Sequence, residues 1–534
     1  MNSTDNGIAM TPATEPGQAP ANGLACRQAS DLSGDITLQA DVVVVGSGAG
    51  GAVAAYELAA AGKKVVILEA GPYVPSTQFR EDLPFAFEQL YQDQAGQVNT
   101  RGDLNVLQGA CVGGSTVVNG TVCFRTPDFI LADWQRDHGL SNLTPESLAP
   151  YFERAELNLA IHANGEHEIN ANSRAVIRGC EKLGVAWHPL KRNVKDCGLT
   201  GFCLAGCAAD RKQSMLVTYL PWAVALGASL YADTHVTRVL AENGAASGVL
   251  ADVIDPKTRQ KRASLRVDAK VVVVAAGAVQ TPLLLQASGL CDGSGQLGRN
   301  FACHPSTGVM ARMPEDIHMW RGALLGIHVD EWMHPDKGGF LLEVGGAGPA
   351  EISLFSDPGL GADYDRFMAE SRRYSAMVTL IHDHNVGRVY RDDEGIKRIE
   401  YDLAASDFPA MKAAFKAAAR IYFAAGAECV FLPTVARTVI EREEDIERIV
   451  EAIPHEPHAL RVVSYHPQGT ARMGADPAKS VVNPWGETHD VKRLFITDAS
   501  LFPTSMIVNP QLSVYGLAGY IAAQMLGRYG EYFA

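Results

Sequence analysis

The sequence lacks any apolar run long enough to cross a bilayer, which takes about 18 uninterrupted residues. The nearest stretch, Leu512 to Leu526, is broken by Ser513, Tyr515 and Gln524 and reads as a buried C-terminal helix. Cations are also in deficit, with 46 lysines and arginines against 60 acidic residues and a net charge of −14. Binding along a phosphate backbone needs a basic footprint, so the charge balance disfavours nucleic acid and anionic membrane surfaces as partners. Cysteine is sparse: ten residues, mostly scattered singly, imply no disulfide framework. Residues 1–38 have neither a basic start nor an apolar stretch, and their Pro, Gly, Ala, Thr and Asn read as a flexible tail rather than a secretory signal. No internal repeat is evident. These absences favour a cytoplasmic protein, with a peripheral seat on the inner membrane as the other reading.

What remains is a globular composition, 47% hydrophobic and 20% charged, in a length that suits two to four domains. Asp41 to Val45 is a β-branched run of the kind buried in parallel sheets. It leads into Gly46-Ser47-Gly48-Ala49-Gly50-Gly51, a helix-forming stretch Ala52 to Ala61, and a second strand Lys64 to Leu68 that ends at Glu69. This is G-x-G-x-x-G in the setting the motif requires. Gly46 allows the tight turn, Gly48 lets backbone approach a pyrophosphate, and Gly51 lets helix pack on strand. The helix start offers free N–H groups and the positive end of its dipole to the anion. Glu69, 18 residues past Gly51, is placed to accept from ribose hydroxyls. A glycine turn kept only for packing is the bland alternative. The motif does not distinguish one dinucleotide from another.

Five further stretches extend this pattern along the chain. Gly113-Gly114-Ser115, with Asn119 just beyond, pairs close-approach glycines with hydrogen-bonding side chains at the start of a helix. Val271 to Ala276 is an apolar strand ending at Gly277, and Ala278 to Ser288 is predicted to be a helix with Pro282 near its first turn. His235 to Leu240 alternates like a strand at the edge of the same sheet. Leu494 to Asp498 reads as a strand ending in an acid whose carboxylate points into a ligand crevice. His466 sits in the Pro- and Gly-rich loop Ser464 to Thr470, which favours a site over a core role, and Asn509 follows 43 residues later.

Taken together and in order, these stretches resemble the glucose–methanol–choline oxidoreductases from about residue 40 to the C-terminus. The shared motifs are Gly46 to Gly51, Val112 to Ser115 with Asn119, Gly277 to Pro282, Ser288 to Leu290, Gly298 to Asn300 with His304-Pro305, and His466 and Asn509 around Asp498. The long-chain fatty alcohol oxidase branch is the most similar, through Gly206-Cys207, Lys212-Gln213, Val482 to Pro484 and Gly486 to Thr488. The resemblance implies an α/β fold. A Rossmann-like FAD-binding domain would be assembled from residues 39–125, 225–310 and 460–534. An α+β substrate domain with an antiparallel sheet would come from 126–224 and 311–459, including strands near Gly339 to Val344 and Tyr374 to Ile381 and a helix over Ala410 to Ala425.

It also implies roles. Gly46, Gly48, Gly51 and Glu69 would hold the ADP half of FAD, with Val236 at the adenine. Gly113, Gly114, Ser115 and Asn119 would line the flavin side, and Asp498 the ribityl and pyrophosphate region. His466 would act as base near flavin N5, with Asn509 as its partner. These residue types suit an alcohol: hydride leaves the carbinol carbon as a base removes the hydroxyl proton, and histidine titrates near neutrality. Asn509 cannot be a base, but its amide can hold the same oxygen. The electrons would pass to O2 or an external acceptor.

Two departures stand out. Thr116 replaces a serine of the family's pattern and keeps the hydroxyl. Cys197, Cys203 and Cys207 form a C-x5-C-x3-C run, similar to relatives whose three cysteines carry a 3Fe–4S cluster, but Gly206 and Ala208 stand where those have proline. Four thiolates are the commoner iron–sulfur ligand set. Three reduced thiols in a glycine-rich loop are the bland reading. The expected substrate is a long-chain or bulky apolar primary alcohol. A sugar, polyol or sterol dehydrogenase relaying electrons through a cluster to a partner is the alternative, separated by iron and sulfide analysis. A flavin-binding protein without catalysis is disfavoured by the presence of His466.

Overall fold

The computed structural model describes residues 24–349, 352, 359–384 and 387–533. Among these residues two large sheets face each other across a cavity. The first has seven strands in the order Ser229–Tyr231, Val65–Leu68, Ile36–Val45, Lys261–Val274, Ala245–Ile254 and Thr234–Glu242, with Leu494–Ile496 also on Lys261–Val274. Its centre is parallel, with Val42 to Val45 registered against both Val65 to Leu68 and Val271 to Val274. All twelve of those residues are buried, as helices on both faces of a parallel sheet require. Lys261–Val274 changes neighbours along its length: its first half pairs antiparallel with Ala245–Ile254 and its last residues pair parallel with Leu494–Ile496. The edge position expected of His235 to Leu240 is observed.

Three sequence expectations are corrected locally. The first strand begins at Ile36 and the helix at Ala49, so Gly50 and Gly51 lie inside the helix. The tail expected over residues 1–38 is structured from Leu24 onward, while residues 1–23 lie outside the described part. Arg27 N–H donates to Leu230 O (2.9 Å) and Ala29 N–H to Asp233 Oδ2 (3.1 Å), with Ala29 and Leu32 buried. The segment thereby covers the outer edge of the first sheet, an edge that would otherwise leave backbone groups unpaired. Pro282 stands in the second turn of Gly277–Ser288 rather than the first. Proline there denies the Ala278 carbonyl its helical partner, and Thr470 Oγ1 takes that place at 2.6 Å.

The second sheet has nine strands. Its path runs Thr438–Ile440, Cys429–Leu432, Ser306–Arg312, Tyr374–Ile381, Phe340–Gly345, Leu325–Val329 and His188–Pro189, with Val462–Ser464 and Leu104–Val106 attached. The path is antiparallel throughout. Leu104–Val106 and Val462–Ser464, which the sequence groups with the cofactor segments, pair with each other and extend this sheet. Helices Ala171–Leu183 and Phe408–Ala425 cover its far side, where Phe340, Leu342 and Val344 join their core. Alternation therefore turns Glu343 and Gly345 toward the cavity. In the short helix Ile446–Glu451, Glu447 and Glu451 pair with Lys416 while Ile446 and Val450 are buried. The buried C-terminal helix spans Gln511–Gly527.

Candidate active site

The space between the sheets is a cavity of about 2670 Å³, well beyond the roughly 300–1,000 Å³ of a drug-sized pocket. Its floor is glycine backbone at the ends of the first sheet's strands. At Gly46 (φ +98°) an added Cβ would lie 2.4 Å from Ala275 O, and at Gly51 it would lie 2.0 Å from Gly46 O. Gly51 does not line the cavity; it sets how closely helix meets strand. Gly50 was not singled out in the sequence, yet a Cβ there would fall 1.7 Å from Thr497 O, so it fixes the helix against the last strand. Gly48 lines the cavity, and its Cα would be 2.8 Å from a Cβ on Gly114 (φ +55°). The two glycine loops touch.

Ser47 joins them through hydrogen bonds. Gly113 N–H donates to Ser47 Oγ (2.9 Å), and Ser47 Oγ donates to Glu69 Oε2 (2.6 Å). Glu69 also accepts from Ser47 N–H and Gly71 N–H, both at 2.9 Å, and burial raises its pKa. Thus the carboxylate braces both loops from the cavity wall. Asp498 acts likewise on another helix: Oδ2 accepts from Gly277 N–H (2.9 Å) and Thr281 Oγ1 (2.5 Å), while Oδ1 accepts from Ser500 N–H (2.8 Å). Ser115 Oγ accepts from Gly109 N–H (2.9 Å), and Asn119 Nδ2 donates to Gln511 Oε1 (2.8 Å). Val236, 7% exposed, lines the cavity with Glu69 and Asp498.

His466 and Asn509 line the same cavity as the glycine floor. The His466 loop is tied down by His466 N–H to Ser464 Oγ (3.2 Å) and Gln468 Nε2 to His466 O (3.0 Å). Its ring lies edge-on to His304 at 5.5 Å between centroids. His304 Nε2 accepts from Met506 N–H (2.7 Å), linking this loop to the segment that carries Asn509. Burial lowers the His466 pKa to about 4, so the ring is neutral at pH 7. His466 Nδ1 and Asn509 Oδ1 are both buried without a partner. Opposite them is Glu343, a residue no sequence motif revealed. Burial pushes its pKa up to about 7, and the nearby Asn509 side chain offsets part of that rise.

Cys197, Cys203 and Cys207 are free thiols, and among the described residues no group of three His, Cys, Asp or Glu is placed to hold a metal. Arg192 donates to Cys197 Sγ (3.8 Å) and Cys207 Sγ accepts from Arg211 N–H (3.3 Å). The buried Lys212, its pKa lowered to about 8 by burial, donates to Val117 O (2.5 Å), Asn119 O (3.0 Å) and Cys203 O (2.8 Å). It holds the cysteine loop against the Asn119 turn. Among the described residues no helix is long and apolar enough to cross a membrane.

The donor set fits a dinucleotide: a cradle that side chains would fill, helix N–H groups beside it, and orphaned polar atoms across the same cavity. A family model described as GMC oxidoreductase matches residues 40–306, and a second of that description matches 383–518. An uncharacterized GMC-type oxidoreductase of Mycobacterium tuberculosis is 33% identical over 492 residues, spanning 92% of this chain and 76% of the relative. A long-chain-alcohol oxidase of Arabidopsis thaliana is 28% identical over 518 residues, spanning 92% and 68%. The crystal structure of pyridoxine 4-oxidase from Mesorbium loti shares the fold, with a TM-score of 0.64 at 20% identity over 91% of this chain and 98% of that one.

Proposed function

We propose a reaction on the premise that this chain belongs to the GMC oxidoreductase family and is an FAD-dependent oxidoreductase acting on CH–OH donors. The reaction is oxidation of a bulky, largely apolar primary alcohol to its carbonyl compound, with His466 as base. When bound, FAD supplies the hydride acceptor. Gly46 and Gly48 give the pyrophosphate a path to the helix N-terminus, while Gly51 seats that helix. Glu69 and Val236 receive the adenosine end, and Asp498 the ribityl and pyrophosphate region. Gly113, Gly114, Ser115 and Asn119 border the flavin.

The alcohol lies against the second sheet, whose Met310, Leu325, Val378 and Leu380 offer apolar contact. This lining is what supports a bulky apolar skeleton, in keeping with the long-chain-alcohol oxidases among the relatives. His466 is neutral at pH 7 and takes the hydroxyl proton. Nδ1 is enclosed, so Nε2 receives it. The low proton affinity that burial gives His466 makes it a weak base toward a free alcohol, so proton removal runs together with hydride departure. Asn509 holds the carbinol oxygen in line.

The observation that carries this reading is the placement of His466 and Asn509 in the same cavity as the glycine cradle. Anaerobic mixing of the FAD-loaded protein with a panel of primary alcohols tests it. Bleaching of the flavin absorbance by an apolar member is expected; a panel that leaves the flavin oxidised overturns it. Admitting air to the reduced protein then separates O2 from an external acceptor.

A further inference from the structure

The cavity wall formed by the second sheet is apolar on Met310, Leu325, Ala376, Val378 and Leu380. Glu343 interrupts it in the middle of Phe340–Gly345, registered against Val378 on one side and His328 on the other. Strands on both sides hold that backbone, so the side chain stays directed at the cavity. Glu343 is 3% exposed, and burial raises its pKa, with the Asn509 amide as the one offsetting group. Among the described residues no cation pairs with it; the neighbouring His328 has Nε2 3.7 Å from Asp330 Oδ2 instead.

Two acceptors stand open here. Among the described residues neither Glu343 Oε1 nor Asn509 Oδ1 has a hydrogen-bond partner, although both are buried and both side chains line the same cavity. Buried acceptors are nearly always satisfied, and an exception in a cavity wall points to a group that arrives from outside. A carbinol hydroxyl has one proton, and His466 takes it. Above pH 7, where Glu343 is ionised and only accepts, these acceptors are open to a donor elsewhere on the substrate.

We propose that Glu343, in the same cavity as Asn509, receives a second hydrogen-bond donor of the substrate, so that the alcohol oxidised here carries a further hydroxyl or ammonium group near its carbinol carbon. The proposal rests on the reading of His466 and Asn509 as the carbinol site. The rest of the molecule lies on the apolar wall, which leaves the substrate amphipathic: hydrocarbon along Val378 and Leu380, one donor on Glu343.

Rates of anaerobic flavin reduction in the FAD-loaded protein, for 1-alkanols, the matching 1,3-alkanediols and the matching 3-amino-1-alkanols, decide it. Sites built to bond a substrate group reject the analogue lacking it, by up to roughly 10⁴–10⁵-fold. At least one donor-bearing series is expected to outrun its matched alkanol by about tenfold or more, and Glu343→Leu to abolish or invert that ratio. Glu343→Gln keeps the volume and an acceptor oxygen; it is expected to keep a preference for diols and to lose one for amino alcohols, which tells the two donors apart. Alkanols that bleach the flavin as fast as diols and amino alcohols overturn the subsite and leave the carbinol site standing. A flavin that no series bleaches overturns both. A ratio unmoved in Glu343→Leu, with a shifted flavin spectrum or lower FAD content, overturns it in favour of a contact with the cofactor.

Discussion

The two faces of the cavity are built on opposite principles. On the first sheet, Gly46, Gly50 and Gly51 leave no room at all: an added Cβ would meet backbone oxygens at 2.4, 1.7 and 2.0 Å. On the second sheet, the cavity side is made by side chains, from Met310 and Leu380 to Glu343. The floor is specified by atoms that must be missing, the wall by atoms that are present. One face is thus fixed by backbone for a common cofactor, and the other can be revised residue by residue for a particular alcohol.

The contrast can be broken most sharply at the floor. Gly50→Ala is expected to have the largest effect, loss of FAD and a lowered melting temperature, because neither the helix nor the chain at Thr497, just past the strand Leu494–Ile496, can yield. Gly530→Ala, with nothing within 4 Å of the added carbon, serves as the control. Equal melting and flavin content in the two would show that the close approach is dispensable.

On the wall, the strongest expected signature is that of a buried carboxyl. Glu343 is raised to about 7, above the roughly 4.3 of an unfolded glutamate, so the folded protein holds a proton that the unfolded chain releases. Stability contributed by that proton is present in acid and is lost as pH rises through 7, by on the order of 3 kcal/mol. Thermal melts at about pH 5 and pH 8 should therefore differ more in the wild type than in Glu343→Gln. Parallel behaviour would place the carboxyl in a more polar setting.

Back on the floor, Glu69→Ala removes the acceptor of Ser47 N–H, Ser47 Oγ and Gly71 N–H. Hydrogen bonds to a charged group contribute about 1.5–3 kcal/mol, so FAD affinity is expected to fall roughly 10- to 100-fold, read by titration of the apoprotein. Unchanged affinity would confine Glu69 to bracing the loops. The smallest effect is expected at Thr470→Val, which leaves the Ala278 carbonyl opposite Pro282 unpaired, at about 1 kcal/mol in a denaturant melt. A neutral substitution would mean that water takes the place of the hydroxyl.

The same contrast explains what was legible in the sequence. The glycine spacing at 46, 48 and 51, the valine strands and the acid at Glu69 are demands of backbone geometry, and each left a readable pattern. His466 and Asn509 were readable by their place in ordered motifs. Gly50 was passed over because G-x-G-x-x-G does not include it, although Gly50-Gly51 signals two close approaches on one helix. Ser47 occupies a variable position of the motif, and its link to Glu69 depends on two strand ends meeting in space. Glu343 had only one signal, a carboxylate in the apolar run Phe340 to Val344, and its place in the same cavity as Asn509 brings a strand and a distant loop together that no local pattern relates. The ordering of Leu24 to Asp35 against Ser229–Tyr231 was hidden for the same reason: it is a tertiary contact made by a segment of disorder-prone composition.

The central claim is that one imidazole, sharing a cavity with the glycine cradle, removes the proton of the alcohol. Anaerobic stopped-flow reduction of His466→Ala, alongside its FAD content, tests it directly. The account expects a yellow protein with wild-type flavin content whose reduction by alcohol is slower by roughly 10²–10⁴-fold, the span of a lost general base. Reduction at the wild-type rate in that variant would contradict it.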